Sequence, residues 1–315
     1  MISKASAPGK IILFGEHFVV YGIKAILCAI DKRVTVTAER IPENKIIIKS
    51  SIGELEVSLN KSMNELSSPL KPFVYLANKM IKKHNQLEGI KIYVESEIPS
   101  GVGLGSSSAC CVAGAAAISK LFEEISKEKI LELAIEAERT IFQNTSGADC
   151  TVCTFGGLME YNKEKGFSQI ESEPNFHLVI ANSNIEHSTD AVVSNVKQFK
   201  EKNEEKFSIM CQKELELVNR VNIMLKNNDL QGLGKCMKVN QEFLETIGIS
   251  NEKLRKMIKI AENSSFGAKI TGAGGGGCII ALSDEPNLEK IISELKRENY
   301  ECFSVKIDFK GLDTF

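Results

Sequence analysis

The sequence carries no strong excess of either charge. Lysine and arginine number 39 against 41 aspartates and glutamates, a net of −2 with both signs interspersed. That balance argues against binding to nucleic acid or to a membrane surface, because either needs a strong basic field. No apolar run reaches the roughly 18 residues that a membrane helix requires. The first residues, MISKASAPGK, lack the apolar core of a secretory signal. Nine scattered cysteines are odd in number and too sparse for a secreted disulfide framework, so a reducing cytoplasm is the expected location. Cys150 and Cys153 form one CxxC, but no second pair or histidine set stands at zinc-site spacing. They read as two buried small side chains. Internal repeats and low-complexity tracts are absent, and nothing follows from the missing tryptophan.

What is present is the composition of a globular protein, 43% hydrophobic and 25% charged, in 315 residues. That length suits two domains. The pattern mixes strands and helices in clusters rather than in strict alternation, which predicts an α+β fold. Alternating segments such as DKRVTVTAER and NKIIIKSSIGELEVSL read as antiparallel strands. Two short apolar runs near the start are broken by Pro8-Gly9 and Gly15. Residues 106 to 122 and 127 to 142 read as helices. The polar hairpin loop NKEKGFSQIESEP predicts a domain boundary near residue 162, giving 1–162 and 163–315.

Two glycine stretches stand out. GVGLGSSSA (101–109) places Gly101, Gly103 and Gly105 at every second position before Ser106, Ser107 and Ser108, and an apolar helix follows. Glycine admits a ligand close to the backbone. A helix start offers unpaired N–H groups and a positive dipole end. The stretch reads as a phosphate cradle, although the spacing is neither that of a Rossmann fingerprint nor that of a Walker A loop. One serine suits an N-cap, and a serine hydroxyl beside phosphates is also a usual magnesium ligand. The second stretch, TGAGGGG (271–277), is followed by the strand-like CIIALS, so the dinucleotide-binding reading fails on context. It is either a wide turn or a second close approach to a ligand.

Glu138 lies within the apolar stripe Leu131, Ala134, Ala137 and Ile141. A carboxylate there needs a partner: Arg139, Lys10 or a bound cation, unless it merely marks the edge of the stripe. In NTSGADC, a tight turn is expected to end the helix, with Asp149 just beyond it as a turn residue or as a base. Lys10 begins a strand, and Glu16 and His17 occupy the turn after it. A lysine, two carboxylates, serines and two glycine loops make up the inventory of a magnesium-dependent phosphoryl-transfer site.

APGKIILFGEHFVVYG, IPSGVGLGSSSA and KITGAGGGGCII resemble, in order, the three motifs of the GHMP kinases. Within that group, GEHFVVYG and AERTIFQNTSGADCTVCTFGG most resemble the mevalonate kinases. The resemblance implies a two-lobed fold: an N-terminal ATP-binding domain like domain 2 of ribosomal protein S5, and a ferredoxin-like C-terminal domain. It implies ATP and Mg2+ as cofactor and metal, and C5 phosphorylation of mevalonate. By position it makes Asp149 the catalytic aspartate with Lys10 beside it, and Ser107 and Glu138 the magnesium ligands. Glu16, His17 and Thr189 match residues of the mevalonate pocket. Gly101, Gly103, Leu104, Gly105, Ser106, Ser107 and Ser108 would wrap the ATP phosphates, with Gly274 and Gly275 closing from the second lobe. His187 stands where animal members carry arginine. The loop LNKSMNELSSP is suspected of facing adenine. The remaining alternatives are a kinase for phosphomevalonate, transfer to the 3-hydroxyl, or a non-catalytic sensor on this fold. A homodimer is left open.

Overall fold

The computed structural model describes residues 1–315 apart from 60, 61, 100 and 187, together with all side chains except those and that of Asn64. The chain opens with two long strands, β1 (Ile2–Phe14) and β2 (Ala25–Ile41), followed by the hairpin β3 (Lys45–Ser50) and β4 (Gly53–Ser58). Helix α1 (Lys71–Lys83) leads to β5 (Gly89–Ser96), and then come α2 (Ser106–Lys120), α3 (Lys127–Glu138) and α4 (Ala148–Phe155). A second hairpin, β6 (Leu158–Asn162) and β7 (Gly166–Gln169), returns to the sheet. The first sheet runs β1-β2-β5-β3-β4, with β6 and β7 branching from β2.

The expected break at Pro8-Gly9 does not interrupt β1. Pro8 pairs with Arg33 and Gly9 with Ile30, so β2 bulges outward at Asp31 and Lys32 and absorbs the irregularity. Helix α2 is buried from Ser108 to Ser119, Cys110 only partly, because it lies between the sheet and α1, α3 and α4. Its small side chains, Ala113 to Ala117, let these layers approach. The buried stripe of α3 is Ile130, Leu133, Ala134, Ala137 and Glu138. It is rotated by one residue from the stripe anticipated through Leu131 and Ile141, and Glu138 lies well inside it.

The remaining elements are β8 (His177–Asn182), α5 (Thr189–Lys202), α6 (Glu204–Lys226), α7 (Leu230–Thr246), α8 (Glu252–Glu262), β9 (Gly267–Ile270), β10 (Cys278–Ser283), α9 (Glu285–Arg297) and β11 (Glu301–Val305). The second sheet has the order β11-β8-β10-β9, all antiparallel. In chain order this is 4-1-3-2, the ferredoxin-like arrangement. Strands β8 and β10 are continuously apolar because both faces are covered. Leu178, Ile180 and Ile280 join the core shared with the first sheet, while Val179, Ala181 and Ile279 join that of α8 and α9. A last short strand, β12 (Asp313–Thr314), pairs with β1, so the C-terminus closes on the first sheet. The division at residue 162 stands as a proposal; Gly166–Gln169 pair in the first sheet beyond it. No described helix is long and apolar enough to cross a membrane.

Candidate active site

Five stretches distant in sequence contribute to one cleft of about 870 Å³: within residues 10–20, 101–108 together with Pro99, 138–149, 189–193 and 272–273. The lobes meet here. Lys10 reaches it from β1. The Lys10 N–H donates to the carbonyl of Leu104 at 2.9 Å, which lays the first glycine loop along the strand. Gly105 makes that approach possible. Its φ is 75°, and a Cβ there would stand 2.7 Å from Lys10 Cγ. Lys10 is buried, and its Nζ stands 3.0 Å from Asp149 Oδ2.

Asp149 does not follow a free turn, as had been anticipated, but lies in the first turn of α4. Gly147 turns the chain at φ 78° and α4 starts directly after it. The segment is short and rich in threonine, valine and cysteine, so propensity alone does not announce a helix. Burial of Cys150, Val152 and Cys153 stabilises it. Both cysteines of the CxxC are free and buried.

Glu138 is 3% exposed at the end of α3. Ser108 Oγ donates to its Oε1, and Thr145 Oγ1 donates to its Oε2 at 2.5 Å. Among the described residues no lysine or arginine pairs with it. Neither Arg139 nor Lys10 is its partner, so the ion-pair alternative does not hold; Lys10 pairs with Asp149 instead. Thr145 had not been singled out, because a hydroxyl in an NTSG turn reads as turn chemistry. Ser106 and Ser107 line the cleft at the start of α2. Gly105 caps that helix without a side-chain bond, so its first N–H groups face the cleft free of a capping side chain.

Gly101, Gly103, Leu104, Gly105, Ser106, Ser107, Ser108, His17 and Thr189 all line the cleft. Three expected contacts do not. Gly274 and Gly275 turn away toward the second lobe. The Gly275 N–H donates to the Ile249 carbonyl at 2.7 Å, and a Cβ on Gly274 would stand 2.7 Å from that same oxygen. Gly272 and Ala273 take their place in the wall. Glu16 points away from the cleft into the junction of the lobes, where Lys269 Nζ donates to Oε1. Ile12, Val20, Asp190 and Val193 also face the cleft and carried no distinctive sequence signal. His187 lies outside the described residues. The loop suspected of facing adenine borders a separate hollow of about 350 Å³ lined by Leu66, Ser67, Ser68, Lys71 and Thr140.

His17 has φ 62°, unusual for a residue with a side chain, and its Nε2 lies 2.7 Å from the Ala273 carbonyl. A carbonyl only accepts, so Nε2 carries the proton. Burial pulls the imidazole below its ordinary range, against the opposing effect of that hydrogen bond.

Behind Glu16 lies a buried polar cluster of Glu16, Lys269, Glu214 and Asn240. Asn240 Nδ2 donates to Glu214 Oε1 at 2.7 Å. Burial pushes the Glu214 carboxyl from 4.5 up to about 7. A carboxyl raised in this way stabilises the fold fully below its unfolded value, and that contribution is lost as pH rises toward 7. The loss amounts to about 3 kcal/mol at most. Glu214→Gln, always neutral, is therefore expected to lose less melting temperature than the wild type between about pH 5 and about pH 8. Calorimetry at the two pH values checks this; identical losses would refute it.

The family described as GHMP kinases N terminal domain matches residues 72–157, and that described as GHMP kinases C terminal matches residues 222–302. The two matches cover more than half of the chain. The mevalonate kinase of Archaeoglobus fulgidus is 34% identical over 280 residues, 88% of this chain and 91% of that one. The mevalonate kinase of Pyrococcus furiosus is 35% identical over 309 residues, 92% of this chain and 91% of that one. The crystal structure of the Methanococcus jannaschii mevalonate kinase superposes with a TM-score of 0.86 at 29% identity, covering 98% of both chains. Two lobes of the expected topology, motifs converging on one cleft, and relatives this similar along nearly their whole length establish that the chain belongs to the GHMP kinases, in the mevalonate kinase family.

Proposed function

We propose that this kinase transfers the γ-phosphoryl group of ATP to the C5 hydroxyl of (R)-mevalonate, giving 5-phosphomevalonate and ADP, an early step of isoprenoid biosynthesis. The observation that carries this reading is the Lys10–Asp149 pair, 3.0 Å apart, in the same cleft as the open start of α2. Phosphoryl transfer is mainly positioning and charge stabilisation. The glycine loop and the N–H groups at the start of α2 hold the phosphates. Asp149 accepts a hydrogen bond from the attacking hydroxyl and takes its proton. The Lys10 ammonium offsets the charge that spreads over the transferring group. His17 and Thr189 line the acceptor end, where the neutral imidazole and the hydroxyl orient the substrate by hydrogen bonds. Lys10 is the one lysine or arginine among the described residues lining the cleft. That suits an acceptor without a phosphate of its own.

The donor set suits a magnesium ion. Glu138 is a buried carboxylate without a cationic partner among the described residues, its oxygens are oriented by two hydroxyls, and Ser107 lines the same cleft. Glu138 and Ser107 would hold the ion, with Ser108 and Thr145 fixing the carboxylate. When bound, magnesium supplies charge neutralisation at the β- and γ-phosphates. A coupled ADP-release assay over mevalonate, phosphomevalonate, galactose and homoserine tests the proposal. Turnover with mevalonate and a C5 phosphate by phosphorus NMR are expected. A 3-phosphate, or turnover with another alcohol alone, would overturn it.

A further inference from the structure

Lys269 is an anomaly in the fold. It lies in β9, in an otherwise apolar four-residue strand, and is 0% exposed. Its Nζ donates to Glu16 Oε1 and to the Ile270 carbonyl at 2.6 Å, and stands over the Phe14 ring at 5.8 Å. Neither Lys269 nor Glu16 lines the cleft. The second oxygen of Glu16 has no hydrogen-bond partner.

Stability does not account for such a pair. Two charges withdrawn from water cost several kcal/mol each, and an apolar pair of similar size serves a core as well or better. What the pair accomplishes is a connection. Residues 269, 271 and 273 each reach across to the end of β1 and the turn after it. Lys269 holds Glu16, Thr271 Oγ1 donates to the Ile12 carbonyl at 2.8 Å, and the Ala273 carbonyl accepts from His17 at 2.7 Å. The glycine loop of the second lobe is thereby fastened at three points to the wall that carries His17. His17 also occupies a backbone conformation that persists only where its surroundings over-determine it. Glu16, the preceding residue, is anchored by its side chain on the far side of that backbone.

We propose that Lys269 is a positioning residue for the acceptor side of the cleft: by holding Glu16 it fixes the backbone of His17, and with it the contact between His17 and Ala273. This inference rests on the assignment of the cleft as a mevalonate kinase site. Lys269 touches no substrate; it acts through Glu16. The charge of the pair matters because it selects one partner and one direction, where an apolar contact would let the turn slide.

The test uses two variants of the full chain. Lys269→Met removes the ammonium and leaves a buried carboxylate unpaired, so it also lowers stability. Glu16→Gln/Lys269→Met removes both charges and leaves a shape-matched neutral pair. Kinetics are read well below each variant's melting temperature. For the neutral pair, kcat/KM for mevalonate is expected to fall about tenfold while KM for ATP changes less than about twofold, as displacement confined to the acceptor side requires. Normal constants with only a lowered melting temperature would make the pair merely structural and sink the proposal. Equal rises in both KM values would sink it too, since they report general loosening of the cleft. Failure of the functional assignment looks different: the wild type itself would not turn over mevalonate.

Discussion

Asp149→Asn is expected to leave a folded, ATP-binding protein whose kcat has fallen by about 10²–10⁴, the usual worth of a general base. The substitution keeps the shape of the side chain and removes its charge and basicity. Asp149 stands in the first turn of α4 with its side chain 36% exposed, and the amide oxygen of asparagine can still accept a hydrogen bond from the buried Lys10 ammonium. The loss of a negative charge near a helix N-terminus costs about 0.3–1 kcal/mol. That is small against the stability of a domain. Lys10 loses the negative charge of its partner, but it lines the open cleft rather than a closed interior. KM for ATP should change little, because in the proposed mechanism Asp149 faces the acceptor hydroxyl rather than the nucleotide. Three outcomes separate three roles. A nearly normal enzyme would make Asp149 structural. Rescue by excess magnesium would make it a metal ligand. Collapsed turnover that magnesium does not restore is the result expected of a base. Steady-state kinetics at two magnesium concentrations, with calorimetry to establish folding, decide among them.

Glu138→Gln should raise the magnesium concentration required for half-maximal rate and lower kcat. The loss should be at least the roughly 10–100-fold that removing an outer partner costs a metal site. A hard cation loses its charged ligand, while the amide still fills the space between Ser108 and Thr145. Both hydroxyls can rotate to meet an amide, so the local hydrogen bonds survive the change. Ser107→Ala should act in the same direction more weakly, since water replaces a neutral ligand. A titration of rate against magnesium checks both variants. If Glu138→Gln kept the wild-type magnesium dependence and lost only thermal stability, the carboxylate would be a structural group and the metal assignment would fall.

Several parts of this molecule are legible in the sequence alone. The alternation of DKRVTVTAER and NKIIIKSSIGELEVSL appears as paired strands because period-two patterning reflects a sheet with one buried face. The glycine-serine stretch singled out at 101–108 does lie on the cleft. Lys10 and Asp149, 139 positions apart, do meet. Other parts were misread for identifiable reasons. Helix α4 is not legible as a helix in the sequence because its eight residues, mostly weak helix-formers, depend on burial that local sequence does not display. The stripe of α3 was shifted by one residue because Leu131 and Leu133 are equally apolar, and only packing against α2 and α4 chooses between them.

By itself the sequence determined the class of chemistry. Spaced glycines before serines, a lysine at a strand start and two carboxylates at fixed places specify phosphoryl transfer, because those residue types at those spacings express local backbone needs and charge. It also determined the α+β class, since periodicity is a local property, while the two lobes followed from the resemblance of the three motifs. Only the tertiary structure decided which way each side chain faces where the lobes meet. Glu16 and His17 are neighbours, yet one enters the buried cluster with Lys269 and the other enters the cleft. Gly272 and Gly274 are two apart, yet one lines the cleft and the other packs on Ile249. In both cases the left-handed backbone at His17, Gly272 and Gly274 turns the chain so sharply that adjacent residues lose any periodic relation. The partner across the junction, which comes from elsewhere in the sequence, then sets the direction.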